Sequence, residues 1–139
     1  MSKGLIIIIE DDHDDKDVLV EVIGQLGFKN KIIWFDTCDA AYKFLSDSME
    51  SIFIIFSDIN LPKRTGLELK HDLEQDPVLK RKSIPFIFYS TCADGGHVDD
   101  AYSNLHVHGF FKKENNYDDM KRNVKTILDY WTISRKPEM

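Results

Sequence analysis

The sequence predicts a three-layer α/β fold, a doubly wound parallel sheet of five strands with helices on both faces. Three observations carry this. Short apolar runs rich in isoleucine and phenylalanine recur along the chain with no polar alternation, as in strands buried on both faces. Segments with apolar residues at helical spacing separate them. And the runs end repeatedly in polar residues, the carboxyl-end pattern of an open α/β sheet.

Leu5 to Ile9 is the first strand, followed by Glu10-Asp11-Asp12-His13-Asp14-Asp15. Val18, Leu19, Val22, Ile23 and Leu26 then mark a helix, with Gly27 as its C-terminal stop. Asp12, Asp14, Asp15 and Asp17 read as charges favoured by the positive end of that helix rather than as ligands. Lys31 to Phe35 is the second strand, and Asp39 to Leu45 a helix turning Ala40, Ala41, Phe44 and Leu45 inward.

The third strand is Phe53 to Ser57. It stops at Asp58, and Ile59-Asn60-Leu61-Pro62-Lys63-Arg64-Thr65 leads to a helix from Gly66 through Leu73 that carries Leu67 and Leu69. Asp76 to Lys80 is a polar elbow before the fourth strand, Ile84 to Tyr89, which runs into Ser90-Thr91-Cys92. Gly95-Gly96 and a weak helix from about His97 to Asn104 follow. Gly109-Phe110-Phe111 is the fifth strand, ending in Lys112-Lys113. The last helix, about Tyr117 to Trp131, puts Tyr117, Met120, Val124, Ile127, Leu128 and Trp131 on one stripe.

The chain reads as one domain, residues 1–139, with a core of about 3–132 and a short tail at 133–139. A charged fraction of 30% and a hydrophobic fraction of 42% are those of a folded globular protein. A net charge of −6 argues against nucleic acid as a partner. No window approaches the roughly 18 apolar residues of a membrane span. Cys38 and Cys92 form neither a disulfide framework nor a metal spacing, which fits a reduced, cytoplasmic setting. The histidines, including His13, His71 and His108, read as surface residues. Tyr130 and Trp131 read as partly buried rather than as a dimer face, so a monomer or weak homodimer is expected.

The polar endings converge. In a parallel sheet Glu10-Asp11-Asp12, Asp58, Ser90-Thr91 and Lys112-Lys113 share one rim. Carboxylates drawn together there repel one another, and a hard divalent cation resolves the conflict; an oxygen-only site with few carboxylates suits Mg²⁺. Cation, ammonium and hydroxyl together can neutralise the three equatorial oxygens of a phosphoryl group in transfer. The rim therefore suits a carboxylate nucleophile that accepts a phosphoryl group.

Four motifs, Ile9-Glu10-Asp11-Asp12, Asp58-Ile59-Asn60-Leu61-Pro62 with Gly66, Ile84-Pro85 through Ser90-Thr91, and Gly109-Phe110-Phe111-Lys112-Lys113, resemble the receiver domain of two-component response regulators. The resemblance runs from about Lys3 to Trp131 and implies a flavodoxin-like strand order 2-1-3-4-5. It implies that Asp58 is the phosphoacceptor, that Asp11 and Asp58 bind Mg²⁺ with the Asn60 backbone carbonyl, and that Glu10 acts through water. The family lysine lies four residues past the strand-five glycine, which selects Lys113. Ser90 takes the place of the switch hydroxyl and Phe110 that of the switch aromatic, while Asn60 and Cys92 fill the positions that tune dephosphorylation. Glu114 stands where the family usually has proline, and Thr91 where a smaller residue is common.

The elbow and the acidic run after strand one are similar to those of small stand-alone regulators that serve bacterial phytochromes. The implied donor is a sensor histidine kinase or a phosphotransfer protein, and the response passes by contact to a downstream protein. Two other readings compete with this: a phosphorylation-independent interaction module, and a Mg²⁺ phosphatase of the aspartyl-phosphate kind. The phosphatase is disfavoured because Asn60 cannot protonate a leaving group, as an aspartate two residues after the nucleophile would.

Overall fold

The computed structural model describes residues 4–91 and 108–134. Five strands form one parallel sheet: β1 (Leu5–Ile9), β2 (Ile32–Phe35), β3 (Ile52–Ser57), β4 (Phe86–Ser90) and β5 (Gly109–Lys112). Their order is β2-β1-β3-β4-β5, so the sheet winds outward in both directions from β1 and β3. The helices are α1 (His13–Gln25), α2 (Cys38–Asp47), α3 (Gly66–Gln75), α4 (Pro77–Lys82) and α5 (Tyr117–Ile133). The expected helix from His97 to Asn104, the Gly95-Gly96 loop and Cys92 lie outside the described residues.

β1 is buried along its whole length because both faces are covered. Ile7 and Ile9 pack with Cys38, Ala41, Leu45, Leu69, Leu73 and Leu79 of α2, α3 and α4. Ile6 and Ile8 face the other way, against Leu19, Val22 and Ile23 of α1 and Val124, Ile127 and Leu128 of α5. β3 keeps this alternation with one interruption. Leu5 pairs with Ile52 but Ile6 pairs with Ile54, so Phe53 is an extra residue in the ladder. That bulge is why Phe53 and Ile54, neighbours in sequence, both face α1 and α5.

Most helix ends follow local rules. Asp12 caps α1 by accepting from Asp15 N at 3.0 Å, and Gly27 just past its end has φ 88°. Thr65 and Glu68 form a reciprocal capping box at the start of α3. Three expectations are corrected. The segment Asp76 to Lys80 is not an elbow: Asp76 accepts from Val78 N and Leu79 N, and Pro77 opens the helix α4, whose Leu79 is buried. Ala40 is exposed rather than inward, because α2 starts one residue earlier than expected and presents Cys38, Ala41 and Leu45 to the sheet. Tyr117, at the first turn of α5, is exposed while its hydroxyl donates to Gln25 Oε1 at 2.7 Å.

Candidate functional site

Asp58 follows the last residue of β3. Its amide donates to Ile9 O at 3.0 Å, which locks the ends of β3 and β1 side by side. Its carboxylate is 8% exposed and works at both oxygens. Oδ1 accepts from the amides of Ile59 at 2.7 Å and Asn60 at 3.3 Å, so the loop's own backbone fixes the carboxylate's rotation. Oδ2 is thereby turned toward Lys113 Nζ, 3.2 Å away.

The loop has little freedom. Gly66 N donates to Ile59 O at 2.9 Å, and a Cβ on Gly66 would stand 2.3 Å from the carbonyl oxygen of Asp58. That close approach is why glycine opens α3. Lys63 takes a left-handed conformation at φ 68°, and Ser57 Oγ donates to Asp58 O at 2.8 Å.

Glu10 and Asp11 come from the end of β1. Carboxylate oxygens of Glu10, Asp11 and Asp58 lie within 4.8 Å of one another, with Glu10 and Asp58 buried and Asp11 exposed. Glu10 N is held by Phe35 O, and Glu10 O accepts from Trp34 Nε1 at 2.7 Å, so β2 fixes its backbone. Asp12 lies outside this cluster because its side chain caps α1. Asp14 and Asp17 likewise take no part in it.

Lys113 closes the group. Its amide donates to Ser90 O at 2.9 Å, tying the end of β5 to the end of β4. Its ammonium donates to Glu10 Oε1, to Asp15 Oδ2 at 3.0 Å and to Asp58 Oδ2 at 3.2 Å. Lys112 is exposed and Lys113 points in, so the alternation along β5 selects between the two lysines. Glu114 in place of proline leaves the amine in reach of Asp58.

Asp15 is the residue that sequence reasoning missed. It was assigned to the helix end, yet it sits one turn past Asp11 and meets Lys113. That four-residue spacing was the available signal.

Burial pushes the Glu10 carboxyl up to about 7, against the hydrogen bond and charge of Lys113 and with help from Asp58. Burial also disfavours charge on Lys113, but the Glu10 hydrogen bond and the charges of Asp58 and Glu10 outweigh it and hold the ammonium above its ordinary value. Lys113 is charged: one ammonium faces three carboxylates, and the repulsion it leaves uncancelled is relieved at Glu10, whose buried carboxyl holds a proton more readily than an ordinary one.

The other predicted residues surround this group. Ser90 is fully buried at the end of β4, on the strand beside β3. Phe110 pairs with Phe88 across β4 and β5, their ring centroids 5.7 Å apart, and is half-buried on the α3 side. Asn60 is exposed beside Asp58. Glu10, Asp15, Asp58, Thr91, Lys113 and Glu114 line a cavity of about 320 Å³ together with Val18 and Leu19 of α1 and Tyr117 and Met120 of α5. Tyr89 lines it, and its buried hydroxyl has no hydrogen-bond partner among the described residues.

The donor set fits a hard divalent cation: oxygen ligands alone, three carboxylates converging, and more negative charge than Lys113 can offset. The family model for the response regulator receiver domain matches residues 6–125. The chain belongs to that family. It is similar to the response regulator Rcp1 of Synechocystis sp., 30% identical over 132 residues, covering 91% of this chain and 88% of that one. It is also similar to the probable methanogenesis regulatory protein FilR2 of Methanothrix harundinacea, 27% identical over 131 residues, covering 91% and 83%.

Among solved structures, the Mn²⁺-bound form of Rcp1 superposes with a TM-score of 0.83 at 27% identity, covering 98% of this chain and 99% of that one. The phosphorylated cyanobacterial phytochrome response regulator RcpA gives 0.83 at 25% identity, covering 97% and 98%. The protein is a response regulator receiver domain of the Rcp1 and RcpA type, with the strand order of that fold. No described helix is long and apolar enough to cross a membrane.

Proposed function

We propose that this receiver domain takes a phosphoryl group onto Asp58 in a Mg²⁺-dependent reaction and passes the signal on by protein contact. The single observation behind this is the set of partners at Asp58: Oδ1 spent on two backbone amides, Oδ2 turned to an ammonium, and two further carboxylates within reach. Asp58 Oδ2 attacks the phosphorus of a phosphohistidine; the new O–P bond forms as the N–P bond breaks, and the histidine nitrogen leaves with the electron pair.

In this reading Lys113, which donates to Asp58 Oδ2 at 3.2 Å, follows one transferred oxygen as a compact charge that neutralises without reacting. Ser90, at the end of β4, supplies a hydroxyl to a second oxygen, while the Ile59 and Asn60 amides keep the carboxylate in its orientation. When bound by Glu10, Asp11, Asp58 and the Asn60 carbonyl, Mg²⁺ supplies charge neutralisation between attacking carboxylate and incoming phosphoryl group. Glu10, already held by Lys113, would join Asp11 and Asp58 in holding the cation through water, the role that the family resemblance implies. Phosphorylation draws Lys113 and Ser90 toward the new oxygens, and Phe110, whose ring meets that of Phe88 at a tilt, transmits the change to the β5 edge.

The donor in this reading is a histidine kinase or a phosphotransfer protein in the cytoplasm, and the recipient of the signal is a second protein. Asn60 offers no acid or base to an attacking water, so the phosphate persists as a signal rather than turning over; Cys92, its expected companion, lies outside the described residues. Incubation with Mg²⁺ and acetyl phosphate should add one hydroxylamine-labile phosphoryl group, seen by intact mass, and Asp58→Asn should abolish it. Labelling that persists in Asp58→Asn defeats the assignment. Partner binding that ignores a beryllofluoride mimic would instead favour the phosphorylation-independent module.

A further inference from the structure

A second polar cavity lies at the amino ends of β4 and β5, the opposite end of the sheet from Asp58. It measures about 190 Å³. Its floor is apolar, made by Ile55, Leu73, Leu79 and Phe86, and its polar groups are Lys70, Glu74, Lys80, Ser83 and His108. The wall from Leu79 to Ile84 exists because Asp76 and Pro77 fold the following residues into α4.

Lys70 is the anomaly here. It is 8% exposed, and among the described residues only burial and the charge of Glu74 shift the titration of its ammonium, with no hydrogen bond to it. Its ammonium stands 5.5 Å over the Phe86 ring, and the residue lines the cavity. Lysine is seldom this buried without a partner, because the desolvated charge costs free energy. Burial accordingly lowers its pKa, against the opposing charge of Glu74. His108 lines the same space; its Nδ1 accepts from Phe86 N at 3.1 Å, so the neutral ring carries its proton on Nε2.

We infer that this cavity binds a small monocarboxylate with a compact apolar group, its carboxylate on Lys70 and its tail against Leu73, Leu79 and Phe86. Two ammonium groups, Lys70 and Lys80, set the preference for an anion. Glu74, one helical turn beyond Lys70, weighs against a dianion such as phosphate. The apolar floor rewards a short branched or aromatic tail, as in ligand sites where few polar groups orient a mostly apolar body. Asp58 takes no part, so the site and the phosphoacceptor stand or fall separately.

The test uses the full chain with ¹³C-labelled lysines, titrated by NMR with benzoate, isobutyrate and the neutral analogue benzamide. Benzoate and isobutyrate should shift the Lys70 side-chain signal saturably and raise the pH at which Lys70 titrates; benzamide should do neither. Lys70→Met should weaken benzoate binding by about tenfold or more, the loss of one charge-assisted contact. A Lys70 signal unmoved by both acids overturns the inference, as does equal binding of benzamide. Should Lys70→Met fail to fold, the wild-type titration decides alone.

Discussion

Lys113 Nζ lies 3.2 Å from Asp58 Oδ2, and the same ammonium also serves Glu10 and Asp15. One cation just past the last strand thus holds acids from the ends of β1 and β3 and from α1 against their mutual repulsion. Lys113→Met removes that cation and leaves the buried Glu10 and Asp58 carboxylates facing each other with no opposing charge, Asp58 keeping only its two backbone amides. Stability should fall by about 3 kcal/mol in metal-free solution. Added Mg²⁺ should restore more of the thermal midpoint in the variant than it adds to the wild type, because the cation then has no rival for the carboxylates. Phosphorylation at saturating Mg²⁺ should still be slower by about 10²-fold, the usual cost of removing one preorganised charge. Melting curves with and without Mg²⁺, and the rate of mass gain from acetyl phosphate, measure the two effects separately.

Asp15 tests how far the site extends into α1. Its carboxylate is 3.0 Å from Lys113 Nζ and is well exposed, so its share of the ion cluster is screened. Asp15→Asn should cost about 0.5 kcal/mol and slow phosphorylation by about threefold, through a less constrained lysine. Asp14→Asn removes the same charge from the same helix end but touches neither Lys113 nor the acid cluster. It should leave the rate unchanged. Equal rate effects from the two variants would return Asp15 to the role of a helix-end charge.

The strands were legible because each is buried on both faces and so reads as an uninterrupted apolar run, β1 and β3 most clearly. The acid cluster was legible for the same reason: parallel strands end on one side, and each run stops at a chemically distinctive residue. What was hidden is local or depends on rotation about a helix axis. The bulge at Phe53 has no signature within Phe53-Ile54-Ile55-Phe56, where every residue is apolar. Asp76-Pro77 is a helix start as readily as a turn, and only the burial of Leu79 under α3 decides for the helix. Asp15 was hidden by its neighbours, since a run of acids at a helix start is explained by the helix dipole before any of them is given a partner.

Gly66 sets the height of the phosphoacceptor loop. A Cβ there would stand 2.3 Å from Asp58 O, 3.1 Å from Phe88 Cε1 and 3.1 Å from Ser57 Oγ. The first contact is backbone and cannot swing aside, so the loop or α3 must move. Gly66→Ala should destabilise the fold by about 1–3 kcal/mol. It should also slow phosphorylation, because displacement of Asp58 O breaks the amide contacts that orient Oδ1. Chemical denaturation combined with acetyl phosphate labelling checks both; an unchanged labelling rate would mean that the carboxylate's orientation is set elsewhere.

Lys70 carries a pH dependence of defined sign. Its folded pKa lies below the ordinary lysine value because burial disfavours the ammonium, with Glu74 opposing and Lys80 and His108 as the other titratable groups around the cavity. Between the folded and unfolded values the unfolded chain binds more protons than the native one, so stability rises with pH across that window. Below the folded value the penalty is present in full. Lys70→Met removes the ionisable group and keeps most of the apolar stem in contact with Phe86. The variant should therefore be more stable than the wild type at neutral pH, and the gain should shrink as the pH climbs toward the ordinary lysine pKa. Denaturation midpoints measured from neutral to about pH 10, the region of the unperturbed lysine value, report the trend. A gain that is constant with pH would assign the effect to packing, and a loss of stability at neutral pH would show that the ammonium is paired in solution.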